Sequence, residues 1–469
     1  MIQVEGINIA VEGCFHGNFD EIFGEIIDIE KKKQIKIDLL LVCGDVQTIR
    51  NKNDMYNMAC PKKYLEMGSF YKYYTGEKIA PCLTIFIGGN HEASNYLREM
   101  HFGGWVCPNV YYLGNSNVIE VKKGNTTFKL GGNSGIFNNH DFNNPKLESF
   151  PFTQDQLHSV YHIKQFDLYK LNLYEGDINI FLSHDWPLSI EKHGNINDLI
   201  RKKKHFEADI LDGKFGSISH QYLLNKLQPN FWFAAHMHVK FEALVNHHSN
   251  KKTKFLALDK CLPGREFLQV FTYTKEGVDL YNQFAFNNEP IELYYDPEWL
   301  AIMKTTFNLQ LIWDKMPKLF DINYAQKELK IIRWQKYQQM LQAKQQLLIN
   351  YKNQRIKIPN NFQITATPYY KNDPTNKLTF PNRVILNNQI DDYLKLFNES
   401  GLQLNGFLFY EPQQPQKKEI QNQFQVINKI EIQQNKEKVK QEILKQLDQQ
   451  QKQQKKDDNL NILDFPFLQ

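Results

Sequence analysis

Five short apolar runs in this chain each lead directly into residues of a type that binds metal, and no other feature of the sequence constrains the fold as tightly. The runs are 7–11, 39–43, 85–87, 180–182 and 231–235. Directly after them stand Glu12-Gly13-Cys14-Phe15-His16-Gly17, Gly44-Asp45, Gly88-Gly89-Asn90-His91-Glu92, Ser183-His184-Asp185 and His236-Met237-His238. Each run is short enough to be a strand, and β-branched and aromatic residues recur in them. Helix-like stretches such as 19–32 and 221–227 lie between them, which is the pattern of an α/β fold. Ligands of open α/β sheets bind beyond the carboxyl ends of the strands, so the pattern delivers all five segments to one rim. Each fragment alone is commonplace. A His-x-His pair usually straddles a strand, a Gly-Asp is a turn, and a single Cys is most often a small buried hydrophobe. Their joint occurrence at five strand ends is what points to a shared site.

The rest of the composition limits what that site can be part of. With 469 residues, 42% hydrophobic and 23% charged, the chain is neither fibrous nor wholly disordered. Single cores stop growing at about 250–300 residues, so one large domain with additional material is expected. Lys plus Arg number 56 against 52 Asp plus Glu, a net +4 that is too even to mark a nucleic-acid binder by bulk charge. A site for a polyanion must therefore come from local charge or from metal. The six cysteines include no CxxC pair, which argues against a disulfide framework or zinc ribbon and suits a reducing compartment. Glu5 and Glu12 flank the first apolar run, unlike a signal peptide, and no stretch reaches the roughly 18 apolar residues of a membrane span. An intracellular protein with no membrane partner is expected.

Three regions can be distinguished. Residues 1–285 carry the strand-like runs and form the expected catalytic domain. Residues 286–410 change character: 296–303 and 325–348 read as helices, and 351–400 scatter Pro and Asn between apolar fragments. A smaller C-terminal domain is expected there. Residues 411–469 are rich in Gln and Lys with few aromatics, the composition of a solvated, low-complexity tail.

The side chains after the five runs are an inventory for two divalent metals. Imidazole suits Zn and Fe, carboxylate suits harder ions, and a thiolate softens one site. Asp45 is a carboxylate able to bridge two ions about 3.5–4 Å apart. Gly44, Gly88 and Gly89 permit tight loops where a Cβ would obstruct.

In the order C-x-H, GD, GNHE, H, HxH, the chain resembles the calcineurin-like metallophosphoesterases. It departs from their usual D-x-H and GHxH by having Cys14 and Ala235. At the first departure it resembles the RNA lariat debranching enzymes. Longer blocks agree with them, among them DLLLVCGDVQTIRN (38–51), GGNSGIFNNHDF (131–142), WFAAHMHVKFEAL (232–244) and TKFLALDKCLPGREFLQV (253–270). Residues 294–306 are similar to that family's C-terminal domain.

The resemblance implies a metallophosphoesterase-type β-sandwich flanked by helices, with two divalent ions, Fe(II), Zn or Mn, at its rim. Asp45 would bridge. His16 and His238 would bind one ion with Cys14 beside it, and Asn90, His184 and His236 the other. His91 would donate a proton to the leaving oxygen. A lariat-recognition loop would fall at about 124–160, where His140, Tyr161 and Lys164 are candidates for RNA contact. Phe137, Phe142 and His162 are further candidates, with core packing as the competing role for the aromatics. Glu92 or Asp185 is expected to orient a histidine, or else to form a structural ion pair. The implied activity is hydrolysis of the 2′,5′-phosphodiester of branched intron RNA, and the implied location is the nucleus. Action on another phosphodiester or a phosphoprotein is the alternative. A metal-free scaffold would be expected to show broken ligands, and these are intact.

Overall fold

A computed structural model describes residues 5–145, 148, 152–274, 277–279, 289–310, 318–371, 373, 376 and 387–397. Residues Met1–Glu411 form one compact unit and Pro412–Gln469 a second. The Gln/Lys-rich tail lies outside the described residues.

Two seven-stranded sheets make the body of the first unit. The strands in chain order are β1 (Ile7–Glu12), β2 (Leu39–Val42), β3 (Leu83–Phe86), β4 (Gly104–Cys107), β5 (Val110–Tyr112), β6 (Ser116–Lys123), β7 (Thr126–Asn133) and β8 (Ile180–Ser183). They continue with β9 (Phe231–Ala234), β10 (Phe241–Asn246), β11 (Lys252–Ala257), β12 (Leu268–Thr274), β13 (Gly277–Asp279), β14 (Glu292–Tyr295), β15 (Phe320–Asn323) and β16 (Glu328–Ile331). The first sheet has the order β13-β12-β1-β2-β3-β5-β4, the second β10-β11-β9-β8-β7-β6-β14, and β15-β16 form a hairpin.

Alternation explains the layers. Ile7, Ile9 and Val11 of β1, with Leu39 and Leu41 of β2, pack into one core with Leu130, Ile180 and Leu182 of the other sheet. Ala10, Leu40 and Val42 point the other way, into a second core beneath Phe19, Ile22, Phe23 and Ile26 of the helix Phe19–Lys33. Strands buried on both faces read as continuous apolar runs, which is why these stand out in the sequence. The expected sandwich with flanking helices is the fold observed.

β1, β2 and β3 run parallel, as do β7, β8 and β9. The five ligand-bearing segments leave the ends of β1, β2, β3, β8 and β9, and so meet at one rim of the sandwich.

The region 286–410 is built into the same compact unit rather than standing apart. Strand β14 extends the second sheet by pairing with β6, Tyr295 opposite Ile119. Lys344, on the helix Trp334–Tyr351, is 1% exposed. Its ammonium donates to Leu173 O at 3.0 Å, Glu175 Oε2 at 2.8 Å and Glu298 Oε1 at 2.7 Å. Glu298 in turn accepts the backbone N–H groups of Glu175 and Gly176. Removing one member of a buried ion pair leaves the other uncompensated, so Lys344→Met should cost about 3–5 kcal/mol. Chemical denaturation of wild type and variant measures this; equal midpoints would remove Lys344 as the lock between the two regions.

No helix among the described residues is long and apolar enough to cross a membrane.

Candidate metal centre

The rim loops are held in unusual backbone conformations. His16, Asp45, Gln47, His236 and His238 all have positive φ, between 48° and 62°. Left-handed backbone costs an L-residue roughly 1–2 kcal/mol, and strain of this kind gathers at functional sites. Two glycines make room for it. A Cβ on Gly44 would lie 2.5 Å from His184 Nδ1, and one on Gly89 would lie 2.2 Å from Asp45 Oδ1. Gly88 is less tightly confined, its nearest neighbour being the Leu97 side chain at 3.2 Å.

Cys14, His16, Asp45 and His238 bring one ligand atom each to within 4.8 Å of one another. His16 Nε2 is 3.3 Å from His238 Nε2 and 3.8 Å from Asp45 Oδ2. Gln47 Nε2 is 3.2 Å from His16 Nδ1, which fixes the ring with Nε2 turned inward. Burial lowers the pKa of His16 in spite of Asp45. Burial, with His16 and Lys260 as positive neighbours, pushes His238 down to about 3. Neutral imidazoles with converging nitrogens and an anionic bridge suit a divalent cation. Cys14 is fully buried and its Sγ accepts the His236 backbone N–H at 3.2 Å. Burial first, then Asp45 and Glu12, raise its thiol well above the ordinary value. A cation is therefore what this pocket needs to stabilise a thiolate.

The second donor set shares Asp45. His184 Nε2 lies 3.3 Å from Asp45 Oδ1 and 3.2 Å from Asn90 Oδ1. His184 Nδ1 donates to the Cys43 carbonyl at 2.7 Å, which sets its tautomer. The His184 and His236 rings are 5.0 Å apart. Burial opposes charge on His184, but Asp45 outweighs it and raises the pKa; burial and then His184 lower that of His236. Burial alone would raise Asp45, yet the neighbouring His184 holds its carboxyl well below the usual range.

Glu92 orients backbone rather than a histidine. Its Oε1 accepts Val46 N at 2.9 Å and Gly89 N at 2.8 Å, and its Oε2 accepts Gln47 N at 2.8 Å. One buried carboxylate thus ties the loop of Asp45 to the loop of Asn90. Burial and then Asp45 raise its pKa to about 7. Glu92→Gln would set an amide N–H against a backbone N–H and part the two loops. Metal affinity should fall about 10–100-fold, as is usual for partners behind the ligands. Competition with a chelator measures it, and unchanged affinity would mean the loops hold themselves. Asp185 accepts Trp186 N at 2.9 Å and Phe137 N at 3.4 Å, so it too serves backbone.

His91 stands beside both sets without joining either. Its backbone N–H donates to Asp45 Oδ1 at 2.8 Å, and its ring Nδ1 donates to Ala59 O at 3.1 Å. Nε2 is the nitrogen left for a substrate.

The expected recognition region is only partly a loop, because β7 occupies Thr126–Asn133. Residues 146, 147 and 149–151 of it lie outside the described residues. His140 is exposed on the short helix Asn139–Phe142, and Tyr161 is half-buried with its hydroxyl 3.1 Å from His158 Nδ1. Lys164 is not presented to a ligand: it is 1% exposed and its ammonium lies 3.3 Å from Glu148. Phe142 is fully buried against Phe137 and Phe320, so it belongs to the core. His162 is tied by Nδ1 to Asp141 at 2.5 Å.

Gln47, the Cys43 and Ala59 carbonyls and the cradle made by Glu92 had no signature in the sequence. Another unanticipated group is Glu12, fully buried with neither oxygen hydrogen-bonded among the described residues. Burial and then Asp45 raise its pKa well above the ordinary range, so it sits behind Cys14 as a neutral acid.

Comparison with known proteins divides the chain in the same way. Residues 7–240 match the calcineurin-like phosphoesterase family, and residues 250–399 match the lariat debranching enzyme C-terminal domain. The chain is 44% identical over 376 residues to lariat debranching enzyme A of Xenopus laevis, covering 79% of this chain and 66% of that protein. It is 40% identical over 426 residues to the lariat debranching enzyme of Drosophila pseudoobscura pseudoobscura, covering 81% and 73%. Identity to that of Homo sapiens is 39% over 384 residues, covering 81% and 67%. The match spans just under two thirds of the Xenopus laevis protein and 62% of the lariat debranching enzyme of Danio rerio.

Proposed function

Because the chain belongs to the lariat debranching enzyme family, we propose that it hydrolyses the 2′,5′-phosphodiester at the branch point of excised intron lariat RNA, giving a linear intron for turnover. What carries this reading is the pairing, in one compact unit, of two donor sets that share Asp45 with the C-terminal region characteristic of that family.

Cys14, His16, Asp45 and His238 would hold one divalent ion, and Asp45, Asn90, His184 and His236 the other. Bound there, two cations supply neutralisation of the phosphoryl oxygens and a lowered pKa for an attacking water. The rest of the chemistry belongs to the chain. Asp45, with its carboxyl held anionic, fixes the spacing of the two donor sets. Gln47 and the Cys43 carbonyl hold the His16 and His184 rings in one orientation each. His91, anchored through Nδ1–H to Ala59 O, directs Nε2 to the leaving 2′-oxygen and, as imidazolium, protonates it. The products are a 5′-phosphate on the released arm and a free 2′-hydroxyl on the branch nucleotide.

The metals of this reading are Fe(II), Zn or Mn. Cys14 favours the softer ions at its own site. The nucleus, where introns are excised, is the proposed location. The test is digestion of matched branched and linear RNAs, with a small phosphodiester and a phosphoprotein alongside. The branched RNA alone should be cut efficiently, and only at its 2′,5′ bond. Preference for the small diester or the phosphoprotein would transfer the activity to the wider phosphoesterase class.

A further inference from the structure

Beside the Cys14–His238 donor set opens a cleft of about 500 Å³ that the metals do not account for. Its walls include His16, His91 and His238, then Asn18, Tyr64, Glu66, Lys260 and Leu262. Tyr64 and Leu262 keep 59% and 42% of their surface exposed there, a large amount of apolar surface at the mouth of a polar site. Asn18 precedes the helix Phe19–Lys33, yet its side chain makes no capping bond and has no partner among the described residues. A flat ring, an aliphatic neighbour and free amide and carboxyl groups are what a nucleobase requires.

Lys260 is the only lysine or arginine on these walls. Its backbone bridges to Cys14, which places it at the metal rim, and its charge is felt by both His16 and His238. Its ammonium has no carboxylate partner among the described residues. The nearby Asp259 is taken by Arg265, at 3.1 Å. Lys203 also lacks an ion-pair partner among the described residues. It lies close enough to Asp259, Arg265 and Lys260 to feel the charge of each. Three cations therefore lead away from the cleft with Asp259 between them, an arrangement that leaves positive charge for a phosphate chain.

We propose that this cleft is a subsite for the branch nucleotide, with its base between Tyr64 and Leu262, its 3′-phosphodiester on Lys260, and the following phosphates on Arg265 and Lys203. This rests on the debranching reading. The base is assigned to the branch nucleotide because His91, which faces the leaving 2′-oxygen, lines the same cleft. The subsite would grip the part of the substrate that leaves, on the side away from the recognition region.

The test uses the full chain and a branched RNA with a non-hydrolysable 2′-linkage, bound at several salt concentrations, beside the same RNA with an abasic branch nucleotide. Tyr64→Ala should weaken binding of the intact RNA about tenfold, within the range that base stacking supplies, and of the abasic RNA by no more than about twofold. Lys260→Gln should weaken both RNAs about tenfold, and Lys260→Arg should restore binding to within about threefold. Lys203→Gln with Arg265→Gln should reduce the salt slope by about 1.4, since each single-strand phosphate contact contributes about 0.7. Equal effects of Tyr64→Ala on the two RNAs, or an unchanged slope in the double variant, would overturn the subsite. Failure of the wild type to cleave ordinary branched RNA would instead overturn the debranching reading.

Discussion

Asp45→Ala should abolish hydrolysis, with a loss of at least about a thousandfold, and should empty both metal positions. The carboxylate is within 3.8 Å of His16 Nε2 through one oxygen and 3.3 Å of His184 Nε2 through the other. Oδ1 also accepts the backbone N–H of His91, so a single truncation removes the bridge and frees the proton donor's loop. The histidines would then face one another without an anion, and His184 would lose the neighbour that raises its pKa. Metal analysis and single-turnover cleavage on the same preparation test this. Retained turnover would remove Asp45 from the bridge, and one ion retained would make it a ligand to the other position only.

His91→Ala should separate chemistry from metal binding. No ligand set contains the imidazole, so metal content should be unchanged, whereas cleavage should fall by about 10²–10⁴-fold, the range for general acid catalysis. The loss should lie in kcat with little change in KM, because proton donation matters only as the 2′-oxygen departs. A branched substrate with a better leaving group should recover most of the rate. Loss of metal in this variant would show that His91 is a ligand.

The donor set was legible because its sequence signal and its structural cause coincide. Strands buried on both faces must be continuous apolar runs, and parallel strands send their ends to one rim. Cys14, His16, Asp45, Asn90, His184, His236 and His238 could therefore be brought together by position alone. The supporting contacts were not legible, because they run through backbone. Nothing in the letters of Cys43 or Ala59 says that their carbonyls orient His184 and His91. Glu92 was expected to face a histidine, but three backbone N–H groups claim its two oxygens. Lys164 read as a basic group near the recognition region, but Glu148, distant in sequence, buries it in an ion pair. Lys260 lay inside a recognised block without being singled out; only the bridge to Cys14 brings it to the metal rim.

The central claim is that water cleaves the bond between phosphorus and the branch 2′-oxygen. The most direct measurement is a single-turnover digestion of branched RNA in ¹⁸O-enriched water, with the masses of both products determined. The expected result is one heavy oxygen in the 5′-phosphate of the released arm and an unlabelled 2′-hydroxyl on the branch nucleotide. Label on the branch nucleotide, a phosphate left at its 2′ position, or cleavage of 3′,5′ bonds at a comparable rate would contradict it.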